Sequence, residues 1–141
     1  MASDPTAACP FCDPRARWRD DLLIAERPGA WLYLCDDQAF PAWSVAIAKR
    51  HATDLFELEG EERAQFMAAC ASLSRAVRVV AGAAHMNYAS LGNVVRHLHV
   101  HCIPRRPDDG HWGAAPWPHE TSPTDPGRAR ETIARLREAL G

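Results

Sequence analysis

Residues 97–103 read His97-Leu98-His99-Val100-His101-Cys102-Ile103. Polar and apolar side chains alternate. As a β-strand with a two-residue period, the stretch puts three imidazoles on one face and Leu98, Val100 and Cys102 on the other. Successive histidines on such a face stand about 6.6 Å apart at the backbone, too far for ring stacking but near enough to converge on one phosphate group or one metal ion. The chain has 7 histidines, and finding three of them in phase within this stretch is a hard coincidence for a half-exposed strand without chemistry. One face of the strand therefore carries the chemistry and the other the core.

Outward from this strand the pattern is mixed α and β. The strand is expected to run from Val94 to Ile103 and to stop at Pro104, which has no N–H to give a sheet ladder. Two apolar runs, Leu22 to Ala25 and Ala30 to Cys35, flank the turn residues Glu26-Arg27-Pro28-Gly29 and predict a hairpin. Trp43 to Ala48 predicts a third strand running into Lys49-Arg50-His51, and Ala84 to Tyr88 a further one. Between Leu58 and Ala83 the period changes. Phe66, Ala69, Leu73, Val77 and Val80 recur at three- and four-residue steps behind Glu59, Glu61 and Glu62, which suit a helix N-terminus. Residues 105–127 are rich in Pro, Gly and Trp without periodicity, a long loop for so small a chain. Residues 128–141 read as a short C-terminal helix with Ile133, Leu136 and Leu140 on its apolar face. The expected fold class is α+β: an antiparallel sheet of about five strands, one long helix and a short C-terminal helix.

The 141 residues and 15.6 kDa hold one core, so residues 1–141 are expected to form a single domain in which 1–21 are a polar, turn-prone arm. A composition of 47% hydrophobic and 24% charged residues excludes disordered and fibrous classes. No apolar stretch nears the ~20 residues of a membrane span and no signal-like segment opens the chain, so no membrane partner and a cytoplasmic location are expected. The net charge of -2 argues against a protein that grips duplex nucleic acid by neutralising phosphates. Five cysteines is an odd count for a disulfide framework. Cys35, Cys70 and Cys102 sit among apolar neighbours and read as small core residues. Cys9 and Cys12 form a Cys-Pro-Phe-Cys knuckle. It fits zinc or redox chemistry but cannot close a four-coordinate zinc site without partners, and it does not open a helix after a strand as a thioredoxin-like redox motif does. His111, Trp112 and Trp117 lie in the long loop, where they either cover a ligand or pack. His85 and His119 read as structural or exposed.

The histidine strand resembles the signature of the histidine-triad (HIT) nucleotide-binding family, His-φ-His-φ-His-φ-φ with φ apolar, at all seven positions. The approach matches as well, through Asn87 and then Gly92-Asn93-Val94-Val95-Arg96, as does the exit through Pro104-Arg105-Arg106. The likeness spans about residues 9–106. It implies half-barrel protomers paired as a homodimer, and an enzyme that cleaves a purine nucleotide conjugate at its α-phosphate, either a dinucleoside polyphosphate or a nucleoside phosphoramidate. By position, His99 is implied as the nucleophile that forms a covalent nucleotidyl-histidine. His101 is implied to hydrogen-bond the phosphate or leaving group, and His97 to orient the others or hold a metal. Asn93 stands where the best-known branches carry Gln, and with Asn87 and Gly92 it is implied in nucleotide binding. Asp36 is placed like the family's ribose-binding acid, although an Asp pair ending a strand also reads as a plain turn.

In the branch of the family with this knuckle, the positions of His51 and His97 serve as zinc ligands. The resemblance thus implies a structural zinc on Cys9, Cys12, His51 and His97, stapling the arm to the sheet and leaving catalysis to His99; no organic cofactor is implied. The competing picture is a reduced, empty knuckle with His51 an exposed turn residue. Two further functions compete with the hydrolase: a non-catalytic nucleotide-binding or sensing module, and a metallohydrolase with zinc on His97 and His99. The first does not need the central imidazole between its neighbours. The second needs a third ligand and a carboxylate base that the sequence does not identify.

Overall fold

The computed structural model describes residues 4–141. Strands β1 (Leu23–Arg27) and β2 (Ala30–Leu34) form the expected hairpin. Gly29 sits in its turn at φ 82°, and a Cβ there would stand 3.0 Å from the Phe66 backbone nitrogen. Only glycine allows both that backbone and that approach. Phe66 belongs to the long helix α2 (Gly60–Ala81), preceded by α1 (Pro14–Arg17) in the arm. The helical period is realised as read: Phe66, Ala69, Leu73 and Val77 are buried, with Cys70, Ser74 and Ala76 beside them. Gly82 ends α2 in the left-handed conformation at φ 63°, its N–H bonded back to the Arg78 and Val79 carbonyls.

Strands β3 (Ser44–Ala48), β4 (His85–Ala89) and β5 (His99–Arg105) complete one antiparallel sheet of order β1-β2-β3-β5-β4. Its register decides what shares a face. His101 lies opposite Val45, and Val45 opposite Tyr33; His99 lies opposite Ile47, and Ile47 opposite Trp31. Directly paired residues point the same way, so these rows form the histidine face. The other face, with Leu32, Leu34, Ala46 and Cys102, packs on α2, where the Cys102 thiol meets the Cys70 carbonyl at 3.9 Å. Helix α3 (Pro126–Leu140) starts on a cap from Asp125 to the Arg128 N–H and buries Ala129, Ile133 and Leu136. It lies against α2 and β1, where the Arg137 guanidinium donates to the Ile24 and Leu23 carbonyls at 2.7 and 2.8 Å.

The triad strand differs from expectation at both ends. It begins at His99 rather than Val94, because the backbone just before it is turned: the His97 N–H donates to the Val95 carbonyl at 2.9 Å and the Leu98 N–H to Ala52 at 2.6 Å. It also runs through Pro104. Pairing with β3 ends opposite Cys102, so beyond that point a residue without an N–H leaves no ladder bond unmade. Residues 106–125 carry no long element but are not loose against the sheet. Gln38 N–H donates to Ser122, and Thr124 N–H to Asp36, both at 2.7 Å. Among the described residues no helix is long and apolar enough to cross a membrane.

Candidate functional site

His99 and His101 point from β5 into the same space, their ring centroids 5.4 Å apart. Each ring's proton is fixed by a partner with only one hydrogen-bonding role. The His99 Nδ1 lies 2.6 Å from the His97 carbonyl. A carbonyl can only accept, so Nδ1 carries a hydrogen, and in the neutral ring Nε2 holds the lone pair. For His101 the logic inverts. The Trp43 indole N–H donates to its Nδ1 at 3.1 Å, and an indole can only donate, so the hydrogen of the neutral ring is on Nε2. Burial, followed by the neighbouring His99, pulls the His101 imidazole down to about 4. A nucleophilic nitrogen therefore stands beside a hydrogen-bond donor.

The third histidine, His97, lies in the turned backbone before β5 rather than in the strand; Phe11 stands edge-on to its ring as to that of His99, at 6.1 and 5.1 Å, and the His97 Nδ1 faces the arm. There its Nδ1 lies 3.4 Å from the Cys9 sulfur, 3.7 Å from that of Cys12 and 3.2 Å from the His51 Nδ1, while Cys12 and His51 stand 3.3 Å apart. The donor atoms of these four residues lie within 4.8 Å of one another. Ideal tetrahedral zinc–thiolate and zinc–imidazole bonds imply edges of about 3.3 to 3.8 Å, close to this set. The His97 Nε2–H donates to the Ala48 carbonyl at 2.6 Å, which leaves Nδ1 free as a ligand and fixes the ring, the usual support for a ligating histidine. Burial pulls His97 below the ordinary histidine value. Burial, and then Cys9, push the Cys12 thiol up to about 11. Both cysteines are free thiols, and a thiol gives up its proton when it binds a metal.

The 3-10 turn Pro10–Cys12 between the two cysteines places Phe11 edge-on to His99, with ring centroids 5.1 Å apart. On the opposite flank Trp43 and Trp117 stand 5.5 and 5.4 Å from His101. His119, buried in the same aromatic group, pairs with Asp37 at 2.6 Å. Burial raises the Asp37 carboxyl, but His119 and the Ser122 and Ala39 N–H groups outweigh it and hold the group below its usual value.

The remaining expected residues are less tightly grouped. Asp36 ends the hairpin region exposed, 3.2 Å from Arg19, which also grips Asp21. Gly92 and the exposed Asn93 lie in the irregular approach to β5. Asn87, opposite Ile103, accepts from Arg105 at 2.7 Å and so is turned to that guanidinium. Cys70 and Cys102 are buried as expected; Cys35 is partly covered, its sulfur 3.8 Å from the His101 Nδ1. Sequence reasoning missed Phe11 and Trp43. Trp43 is legible only through the register: it lies two residues before Val45, the residue opposite His101.

The HIT domain family matches residues 19–108. No curated protein matches the sequence. Among solved structures, a histidine triad protein of Sinorhizobium meliloti is 28% identical, with a TM-score of 0.77 over 83% of this chain and 87% of that one. A zinc-bound histidine triad family protein of Mycobacterium smegmatis is 26% identical, with a TM-score of 0.70 over 97% and 95% of the two chains. The diadenosine triphosphate hydrolase of Plasmodium falciparum shares the fold at 13% identity, with a TM-score of 0.66 over 84% and 75%. With the motif of residues 97–103, the five-stranded sheet and a family match over more than half its length, this chain belongs to the HIT domain family.

Proposed function

We propose that this protein is a nucleotide hydrolase or nucleotidyl transferase that cleaves purine nucleotide conjugates at the α-phosphate through a covalent nucleotidyl-His99. The observation that carries this reading is the bond from His99 Nδ1 to the His97 carbonyl, which selects the tautomer of the neutral ring whose lone pair is on Nε2. The lone pair attacks the α-phosphorus, and the bond to the leaving group breaks. The ring's positive charge then sits against the His97 carbonyl through Nδ1–H. Water next attacks the phosphorus, breaking the P–N bond, releasing the nucleotide and a proton, and returning neutral His99. His101 Nε2–H, beside it, stabilises charge on the oxygens that change. Asp36 is suited to the ribose hydroxyls, which must then compete with Arg19. Gly92, Asn93 and Asn87 border the approach.

Cys9, Cys12, His51 and His97 would hold a structural zinc. All four positions would be filled by side chains, so the metal would supply cross-linking and not activated water. Among the described residues His99 is outside the converging donor set, which favours this reading over a zinc on His97 and His99. A homodimer is supported by the open edge of β4 and by the apolar patch of Leu55, Met67 and Tyr88 beside it, all exposed.

The test is to incubate wild type and His99→Ala with a diadenosine polyphosphate and with AMP phosphoramidate, following AMP release and an AMP adduct by mass spectrometry. Release and adduct in wild type alone are expected. Nucleotide binding without turnover would make the protein a binding module instead.

A further inference from the structure

We propose that Trp43 makes this site selective for leaving groups that depart as anions, so that its substrates are phosphoanhydrides and not phosphoramidates. The inference rests on the covalent-histidine reading above and concerns a positioning residue, since Trp43 acts through His101.

The neutral His101 ring carries a single N–H. Trp43 donates to Nδ1 at 3.1 Å, and the Cys35 sulfur lies on the same nitrogen at 3.8 Å. Both approach a nitrogen that must be an acceptor. Trp43 is held there: it is 3% exposed, packed against Phe40 at 6.1 Å and Trp117 at 5.4 Å. For His101 to become an imidazolium, a hydrogen would have to appear on Nδ1, pointing straight at the indole N–H. The neutral ring, for its part, cannot give up its Nε2 hydrogen without becoming an imidazolate. His101 can therefore hold a hydrogen bond on a departing atom but cannot hand it a proton. The burial that keeps this ring neutral acts in the same direction.

Leaving groups divide on that point. When His99 Nε2 bonds to the α-phosphorus of a phosphoanhydride, the bond to the bridging oxygen breaks. That oxygen takes the electron pair and leaves as a phosphate anion, steadied by His101 Nε2–H with no proton transferred. The nitrogen of a phosphoramidate would have to leave as an amide anion unless it acquired a proton, and the side chain beside it has none to release.

The experiment uses the wild-type protein with 15N-labelled histidine. A long-range 15N–1H correlation spectrum is expected to show His101 unprotonated at Nδ1 and protonated at Nε2. In parallel, kcat/KM for diadenosine triphosphate is expected to exceed that for adenosine 5′-phosphoramidate by about tenfold or more, the scale of one charge-assisted hydrogen bond. Trp43→Phe keeps a ring but frees Nδ1. It should mix the tautomers and shrink the preference, with the phosphoramidate rate rising toward acid pH as Nδ1 becomes protonatable. The wild-type spectrum and substrate ratio decide the question even if that variant does not fold. A hydrogen on Nδ1 in wild type, or a preference for the phosphoramidate, overturns the inference and leaves the covalent-histidine reading standing. No AMP release from either substrate, with the expected spectrum, overturns both.

Discussion

His97 and His99 are joined through the backbone of one and the ring of the other: the carbonyl of His97 accepts the Nδ1–H of His99 at 2.6 Å. The ring of His97 is itself pinned, Nε2–H to the Ala48 carbonyl and Nδ1 toward Cys9 and Cys12. The residue that closes the four-donor cluster thus also sets which nitrogen of His99 is free. Phe11, inside the knuckle, packs on His99 from the same side. The arm is therefore part of what positions the His99 ring, and disturbing one should be felt at the other.

His99→Ala should abolish AMP release and the covalent adduct, lowering kcat/KM by about 10⁴-fold, because the neighbouring His101 presents an N–H at Nε2 and the free nitrogen of His97 faces the cysteines. The measurement is single-turnover AMP release with intact-mass analysis. Retention of more than a few per cent of the wild-type rate would show that the nucleophile lies elsewhere.

Metal analysis of the purified protein should find one zinc per chain, lost in Cys12→Ser and in His97→Ala and kept in His99→Ala. Because the four donors bridge the arm and the sheet, a chelator should lower the melting temperature. The loss amounts to about 4 kcal/mol when free zinc had stood a thousandfold above Kd. Loss of metal from His99→Ala would point to a catalytic zinc on His97 and His99 and sink the structural clip.

The sequence made the sheet, the long helix and the C-terminal helix readable because each rests on a local period. Phe66, Leu73 and Val77 could be named as buried from spacing alone. What spacing could not reveal is where a pattern of alternation stops being a strand. His97 keeps the alternating pattern, yet it lies in a turned backbone whose bonds go to Val95 and Ala52, partners a one-dimensional reading has no way to assign. Trp43 and Phe11 were hidden for the same reason. Their roles arise from the pairing of β3 with β5 and from the docking of the arm, both long-range events. The four-donor cluster was reached from the family likeness and not from any period, and its geometry matches that expectation.

Arg105 should prove a structural keystone. Its guanidinium is only 3% exposed and pairs with Asp109 at 2.7 Å, while also donating to Asn87, Ala114 and the His111 carbonyl. It ties the start of the long loop to β4. Arg105→Ala leaves Asp109 without its partner and three acceptors unmet, and should cost about 3–5 kcal/mol. Lysine should not rescue it, since it lacks the planar fork. Urea unfolding measures this; a loss below about 1 kcal/mol would mean that the loop is held by other contacts.

The fold should also weaken in mild acid because of His101, which is enclosed by Trp43, Trp117, Cys35 and His99. Its folded value near 4 lies below the ordinary 6.5. Between those two values the unfolded chain binds a proton that the folded chain refuses, so stability falls as pH drops. The contribution is complete above about pH 6.5 and is lost as pH falls toward 4, amounting to something on the order of 3 kcal/mol. Cys35, which burial pushes well above the usual thiol value, stays neutral over this range and adds no slope. Acid also strips zinc from its ligands, so wild type must be compared with His101→Leu at equal metal content. Melting temperatures between pH 7 and 4.5 should fall less steeply in the variant. Equal slopes in the two proteins would mean that His101 takes up its proton as readily folded as unfolded, which the Trp43 hydrogen bond on Nδ1 forbids.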